Sequence, residues 1–143
     1  MGCRNKKHHR GHSTVNNLVR HFNFALIPRG PILDIGSGGA PLWRANILLD
    51  RFLVDNSQRP GSALIKDRPL VCGDIHHLPF LDKSINFVHC AHLLEHVDDS
   101  ELAMRELMRV SLSGYIETPS SLQEILILKM PFHRWLCGRR KAC

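Results

Sequence analysis

Apolar positions along the chain fall first into a helical spacing and then into short runs closed by acids or turn formers. Val15, Leu18, Val19, Phe22 and Leu26 recur at helical intervals behind Ser13, a candidate N-cap, and predict a helix that Pro28 to Pro31 breaks. Ile32 to Ile35 predicts a strand buried on both faces. Ile47 to Asp50, read on through Leu53, predicts a second strand, Leu70 to Cys72 a third and Ile85 to Cys90 a fourth. A helix is expected over Asp98 to Val110, because Asp98, Asp99 and Ser100 suit a helix amino end. Tyr115 to Thr118 reads as strand five. Ser121 and Glu124 have capping-box spacing ahead of Ile125, Leu126 and Leu128, which predicts a last helix to Met130.

Between Gly39 and Ile47 there is too little chain for a crossover helix, so a turn around Pro41 and Trp43 is expected there. The linker NSQRPGSALIKDRP, with its two prolines, can hold at most a short helix. The expected architecture is a doubly wound, Rossmann-like, mostly parallel α/β sheet.

The segment Ile32 to Gly39, ILDIGSGG, joins a strand to a glycine-rich turn, and ligands of open α/β sheets sit where such a turn lies. A dinucleotide site would place a third glycine at position 41, which is Pro41, and a ribose-binding acid ~20 residues beyond the turn. Asp50 follows Gly36 too closely for that. S-adenosylmethionine has no phosphate to cradle and needs carboxylates for its ribose hydroxyls and adenine amine, and Asp34, Asp50 and Asp74 are spaced to supply them.

Three blocks in order, ILDIGSGG (32–39), CGDIHHLPFLDKSINFVHCAHLLEHVDD (72–99) and ELMRVSLSGYIETPS (106–120), join the linking LLDRFLVDN to cover about two thirds of the chain. The chain resembles the class I S-adenosylmethionine-dependent methyltransferases, in particular the small-molecule-type branch with a GD...LPF motif. The resemblance implies that Asp34, Gly36, Ser37 and Gly38 surround the methionine moiety. It likewise implies Asp50 at the ribose, Asp74 with the Ile75 backbone at the adenine edge, and His92 beside the sulfonium or the acceptor. If the acceptor arrives protonated, the candidate general bases are His92, Glu95, His96 and Glu117.

The family sheet continues past strand five with a hairpin, whereas this chain reads PFHRWLCGRRKAC after Met130 and stops. The expected strand order is therefore 3-2-1-4-5, lacking the terminal hairpin. Strand five would be an edge open to self-association unless Phe132, Trp135 and Leu136 cover it.

Charge adds a second theme. Residues 1–33 carry six Lys or Arg and no acid, residues 125–143 carry five and no acid, and the segment between is net acidic, within a formal total of +6. Basic ends on an acidic middle can track nucleic-acid phosphates or an anionic membrane, or simply be solvated tails. Residues 1–12, with KKHHRGH, are expected to be a disordered basic tail ahead of a single domain over 13–143. A chain of 143 residues buries roughly 70% of its extended surface, enough for one core.

No apolar run of ~18 residues and no leader pattern occur, so neither a transmembrane segment nor secretion is expected, and the cytoplasm is. Five cysteines without pairing spacings argue against a disulfide framework. His89, Cys90, His92 and His96 lack a second short ligand spacing, so no metal is expected. His76 and His77, in the LPF turn, are expected at the surface.

The function implied is methyl transfer from S-adenosylmethionine to a small-molecule acceptor. The alternative is a non-catalytic module that binds the cofactor, RNA or a partner protein, which salt-dependent RNA affinity without methyl transfer would reveal.

Overall fold

A computed structural model describes residues 29–54 and 63–119. The expected basic tail, the helix expected after Ser13, part of the linker 56–69, the helix expected after Ser121 and the segment with Phe132, Trp135 and Leu136 lie outside the described residues. The elements are β1 (Ile32–Ile35), β2 (Ile47–Asp50), β3 (Leu70–Cys72), β4 (Ile85–Ala91), α1 (Ser100–Val110) and β5 (Ser111–Glu117). Every strand pairing is parallel, and the order is β3-β2-β1-β4-β5, as the sequence predicts. With the flanking helix this is a Rossmann-like sheet.

Alternation along the strands sorts side chains to the two faces. Leu33, Ile35, Leu49, Val88 and Cys90 pack in one cluster with Ala103, Leu107 and Val110 of α1. Ile32 and Leu48 pack instead with Leu42 and Ala45 from the segment between β1 and β2. All four residues of β1 are buried, the mark of a central parallel strand covered on both sides.

Strand two ends at Asp50 rather than running on to Leu53, because the Asp50 carboxylate accepts a hydrogen bond from the Phe52 amide at 2.8 Å and turns the chain. Strand five starts at Ser111, four residues before the apolar signal at Tyr115, and ends at Glu117. Gly114 permits this early pairing, since a Cβ there would lie 2.6 Å from the Val88 side chain of β4.

Helix α1 opens on Asp99, whose side chain accepts the Leu102 amide at 2.9 Å. It closes on Ser111, whose backbone N–H and hydroxyl both donate to the Leu107 carbonyl. No residue separates the helix from β5.

As expected, no helix forms between β1 and β2; an arginine braces the segment instead. Arg68 Nη1 donates to the carbonyls of Leu42 and Ala45, each at 2.9 Å, and of Trp43 at 3.3 Å. Its other nitrogens hold Asp67 in a two-point pair at 2.7 Å. The fork geometry of the guanidinium suits this role, because one group can gather carbonyls that a helix would have bonded internally. None of the described helices is long and apolar enough to cross a membrane.

Candidate functional site

The turn after β1 is held in a shape that glycine permits. Gly36 has φ 69° and Gly38 φ 53°, both left-handed. A Cβ on Gly36 would also sit 2.9 Å from the Leu93 side chain, which reaches it from the turn after β4. The Gly36 amide donates to Leu49 at 2.8 Å, extending the β1–β2 ladder into the turn, and the Gly38 carbonyl accepts from Ile65 at 3.0 Å. Ser37 Oγ is buried with no hydrogen-bond partner among the described residues.

Asp34 lies within β1, 1% exposed, with its carboxylate turned to internal partners. Oδ2 accepts the Leu42 amide at 2.6 Å, and Oδ1 meets His89 Nδ1 at 2.7 Å. Asp50 closes β2, buried, with Oδ1 on the Phe52 amide.

Asp74 follows β3. Its Oδ1 accepts the His76 amide at 2.9 Å and the His76 Nδ1 proton at 2.6 Å, and its Oδ2 pairs with Arg51 at 3.1 Å. Burial pushes the Asp74 carboxyl up, but the His76 amide and imidazole and the Arg51 charge outweigh it and hold the group below the usual range. Ile75 is buried beside it.

His76 departs from the expected surface position: it is buried, whereas His77 is exposed. The reason is a second bond, in which His76 Nε2 accepts the backbone N–H of Asp99 at 3.2 Å. Both contacts are satisfied by the tautomer with the proton on Nδ1, so one imidazole ties the turn after β3 to the amino end of α1. The LPF turn is fixed from the same helix. Glu106 accepts the Leu78 amide, and Arg109 donates to the carbonyls of Leu78 and Phe80 while pairing with Glu106 and Asp82.

At the ends of β4 and β5 the polar groups form a strip. Asp34, His89 and Tyr115 are register partners across β1, β4 and β5, and the His89 and Tyr115 rings stack with centroids 5.8 Å apart. The Tyr115 hydroxyl donates to Glu117 Oε2 at 2.9 Å, and Glu117 Oε1 lies 3.3 Å from His92 Nε2. His92 itself is left-handed at φ 53°, a strained setting for a non-glycine residue, held by its amide on the Glu117 carbonyl at 2.8 Å.

On its other side, His92 Nδ1 faces Glu95 Oε1 at 3.6 Å, with His96 Nε2 at 4.0 Å beyond. Glu95 is 1% exposed, and neither carboxylate oxygen has a hydrogen-bond partner among the described residues. Burial pushes its carboxyl up, yet the His92 imidazole, its own backbone amide and the charges of His96 and His92 outweigh that and keep it below the usual range.

The expected residues therefore lie along the carboxyl ends of the parallel strands, apart from Asp34, which sits inside β1. Sequence reasoning passed over Tyr115, Arg68 and the pairing of His89 with Asp34. Cys90 packs in the apolar cluster, where burial and the charges of Glu95 and Asp34 push its thiol up to about 12. Among the described residues no group of three or more His, Cys, Asp or Glu is placed to hold a metal ion.

Two features of these strand ends suit S-adenosylmethionine, the cofactor that the sequence blocks imply. The glycine turn is left-handed backbone carrying no side chain of its own at Gly36 and Gly38, and the orphaned Ser37 hydroxyl and Glu95 carboxylate are polar groups a ligand with hydroxyl, amine and sulfonium functions can satisfy.

A family model described as a methyltransferase domain matches residues 33–115. One similar solved structure is an S-adenosylmethionine-dependent methyltransferase of Thermotoga maritima, described as a possible histamine N-methyltransferase. It is 18% identical, with a TM-score of 0.56, over 78% of this chain and 59% of that one. A second is a candidate S-adenosyl-L-methionine-dependent methyltransferase of Methanococcus maripaludis, 24% identical, with a TM-score of 0.50, over 71% of this chain and 52% of that one. The chain thus spans between half and three fifths of the length of these structures. No curated protein matches it.

Proposed function

Because the matched stretch exceeds half of its length, the chain belongs to the methyltransferase-domain family, and from that premise we propose that it transfers the methyl group of S-adenosylmethionine to a small-molecule acceptor. The observation that carries the reading is the left-handed glycine turn at the end of β1, set beside carboxylates at the ends of β2, β3, β4 and β5. When bound, S-adenosylmethionine supplies a methyl carbon activated by the adjacent sulfonium.

The chain's own residues then have separate tasks. Gly36, Ser37 and Gly38 hold the methionine moiety, and Asp34 ties the chain on either side of that turn through its bond to Leu42. Asp50 accepts the ribose hydroxyls, and Asp74 with the Ile75 backbone meets the adenine edge. His92 lies beside the reacting groups and accepts the acceptor's proton where there is one to remove. Glu95 and Glu117, on either side of its ring, stabilise the charge it gains, and His96 on the far side of Glu95 is the second candidate base. Positioning of this sort supplies up to ~7–11 kcal/mol of a displacement barrier, so most of the rate is assigned to alignment rather than to the base.

Calorimetric titration with S-adenosylmethionine, followed by transfer of a labelled methyl group into a cell extract, tests the reading. Binding with transfer supports it. Absence of binding removes it, and binding without transfer reduces it to a cofactor-binding module.

A further inference from the structure

One carboxylate of the site behaves unlike the rest. Asp34, Asp50, Asp74, Asp99 and Glu106 each accept a backbone N–H, from Leu42, Phe52, His76, Leu102 and Leu78 respectively. Each therefore has a structural task that explains its burial or its position. Glu95 has none: it is as buried as Asp34, but apart from the pull of its own backbone amide its oxygens meet no donor within hydrogen-bond distance among the described residues. The imidazoles at 3.6 and 4.0 Å are too far to donate to it. A carboxylate removed from water and left in this state is costly unless a positive charge comes near it. The charges that His92 and His96 can carry help keep it ionised, and of those rings His92 is exposed and His96 part-buried.

Position decides which cation Glu95 serves. The turn 92–96 follows β4 directly, and its Leu93 side chain packs on Gly36, so the segment bearing Glu95 lies against the glycine turn. Resting on the cofactor reading above, we propose that Glu95 is a specificity-determining residue: its buried negative charge makes the site favour S-adenosylmethionine, whose sulfur is cationic, over S-adenosylhomocysteine, whose sulfur is neutral. The two ligands differ only in the transferable methyl and the charge it places on sulfur. A charge in a poorly solvated setting acts over several ångströms, so no direct contact is required. The effect on turnover is to release the demethylated product in favour of fresh cofactor.

The test is the ratio of the two dissociation constants, product over cofactor, measured by calorimetry on the full chain. Glu95→Gln keeps the shape and removes the charge; it should lower the ratio by about tenfold, chiefly by weakening S-adenosylmethionine. Glu95→Asp keeps the charge and withdraws it by one methylene, so it should lower the ratio by about two- to threefold; this keeps the test decisive should the neutral variant fail to fold. A merely structural Glu95 would weaken both ligands in parallel and leave the ratio unchanged, and that outcome overturns the inference while the cofactor reading stands. If the unaltered protein binds neither ligand, the cofactor reading fails first and the inference falls with it.

Discussion

The ends of β1, β2 and β3 and the ends of β4 and β5 solve the same packing problem in opposite ways. In the first region every acid is engaged by the chain itself: Asp34 by Leu42 and His89, Asp50 by Phe52, Asp74 by His76 and Arg51. In the second, His92 is held at 3.3 and 3.6 Å by Glu117 and Glu95, and Glu95 has no hydrogen bond among the described residues. The first region is therefore shaped before any ligand arrives. The second keeps unsatisfied polar capacity, which is where a reacting molecule can be recognised and acted on.

The largest expected effect breaks the first region at its pivot. Gly36→Val forces a β-branched side chain into a left-handed conformation against Leu93, and cofactor affinity should fall by roughly a thousandfold. Circular dichroism should meanwhile keep its α/β character; collapse of the fold instead would show that the glycine serves packing alone.

Removing the brace comes next. Arg68→Met deletes three hydrogen bonds to the carbonyls of 42–45 and should cost about 2–3 kcal/mol in urea unfolding. A loss under about 0.5 kcal/mol would mean that the loop holds itself.

Asp50→Ala should weaken cofactor binding by about 2 kcal/mol, as for a hydrogen bond to a charged group, and titration calorimetry reads it. An unchanged dissociation constant would confine Asp50 to its turn at Phe52.

The acid side of the pH profile sharpens the contrast. Asp74 titrates below its ordinary value of 3.8 in the folded chain, so its contribution to stability is present above that value and is lost as pH falls through the lowered one. Asp74→Asn should therefore flatten the fall in melting temperature below about pH 4. Identical acid profiles for the two proteins would discount the His76 and Arg51 contacts.

Smallest of all, Glu117→Gln in the open region should move unfolding stability by less than about 0.5 kcal/mol. A loss comparable to that of Arg68→Met would erase the distinction between the regions.

What could be read without coordinates follows the same division. Ile32–Ile35 and Leu70–Cys72 are bounded by proline, glycine or acid, so local chemistry marks both ends of each strand, and the glycine turn announces itself. β5 hid its start, because Leu112, Ser113 and Gly114 carry no continuous apolar signal and pair only because β4 is already there. The burial of His76 depends on Asp99, and the task of Arg68 depends on carbonyls more than twenty residues earlier; neither partner is marked by local spacing. The alignment of Asp34, His89 and Tyr115 exists only once the register of three strands is known.

Ser111 closes α1 and is also the first rung of β5, which leaves no slack between them. Helix length and strand phase are thus counted on one ruler. One residue inserted at this joint, with β5 taking up the shift, would move Tyr115 and Glu117 together to the opposite face, carrying the ring away from His89 and the carboxylate away from His92. Length variation among relatives that keep this geometry should avoid the joint between residues 110 and 111, and a scan of single-residue insertions along the chain should find that position among the least forgiving.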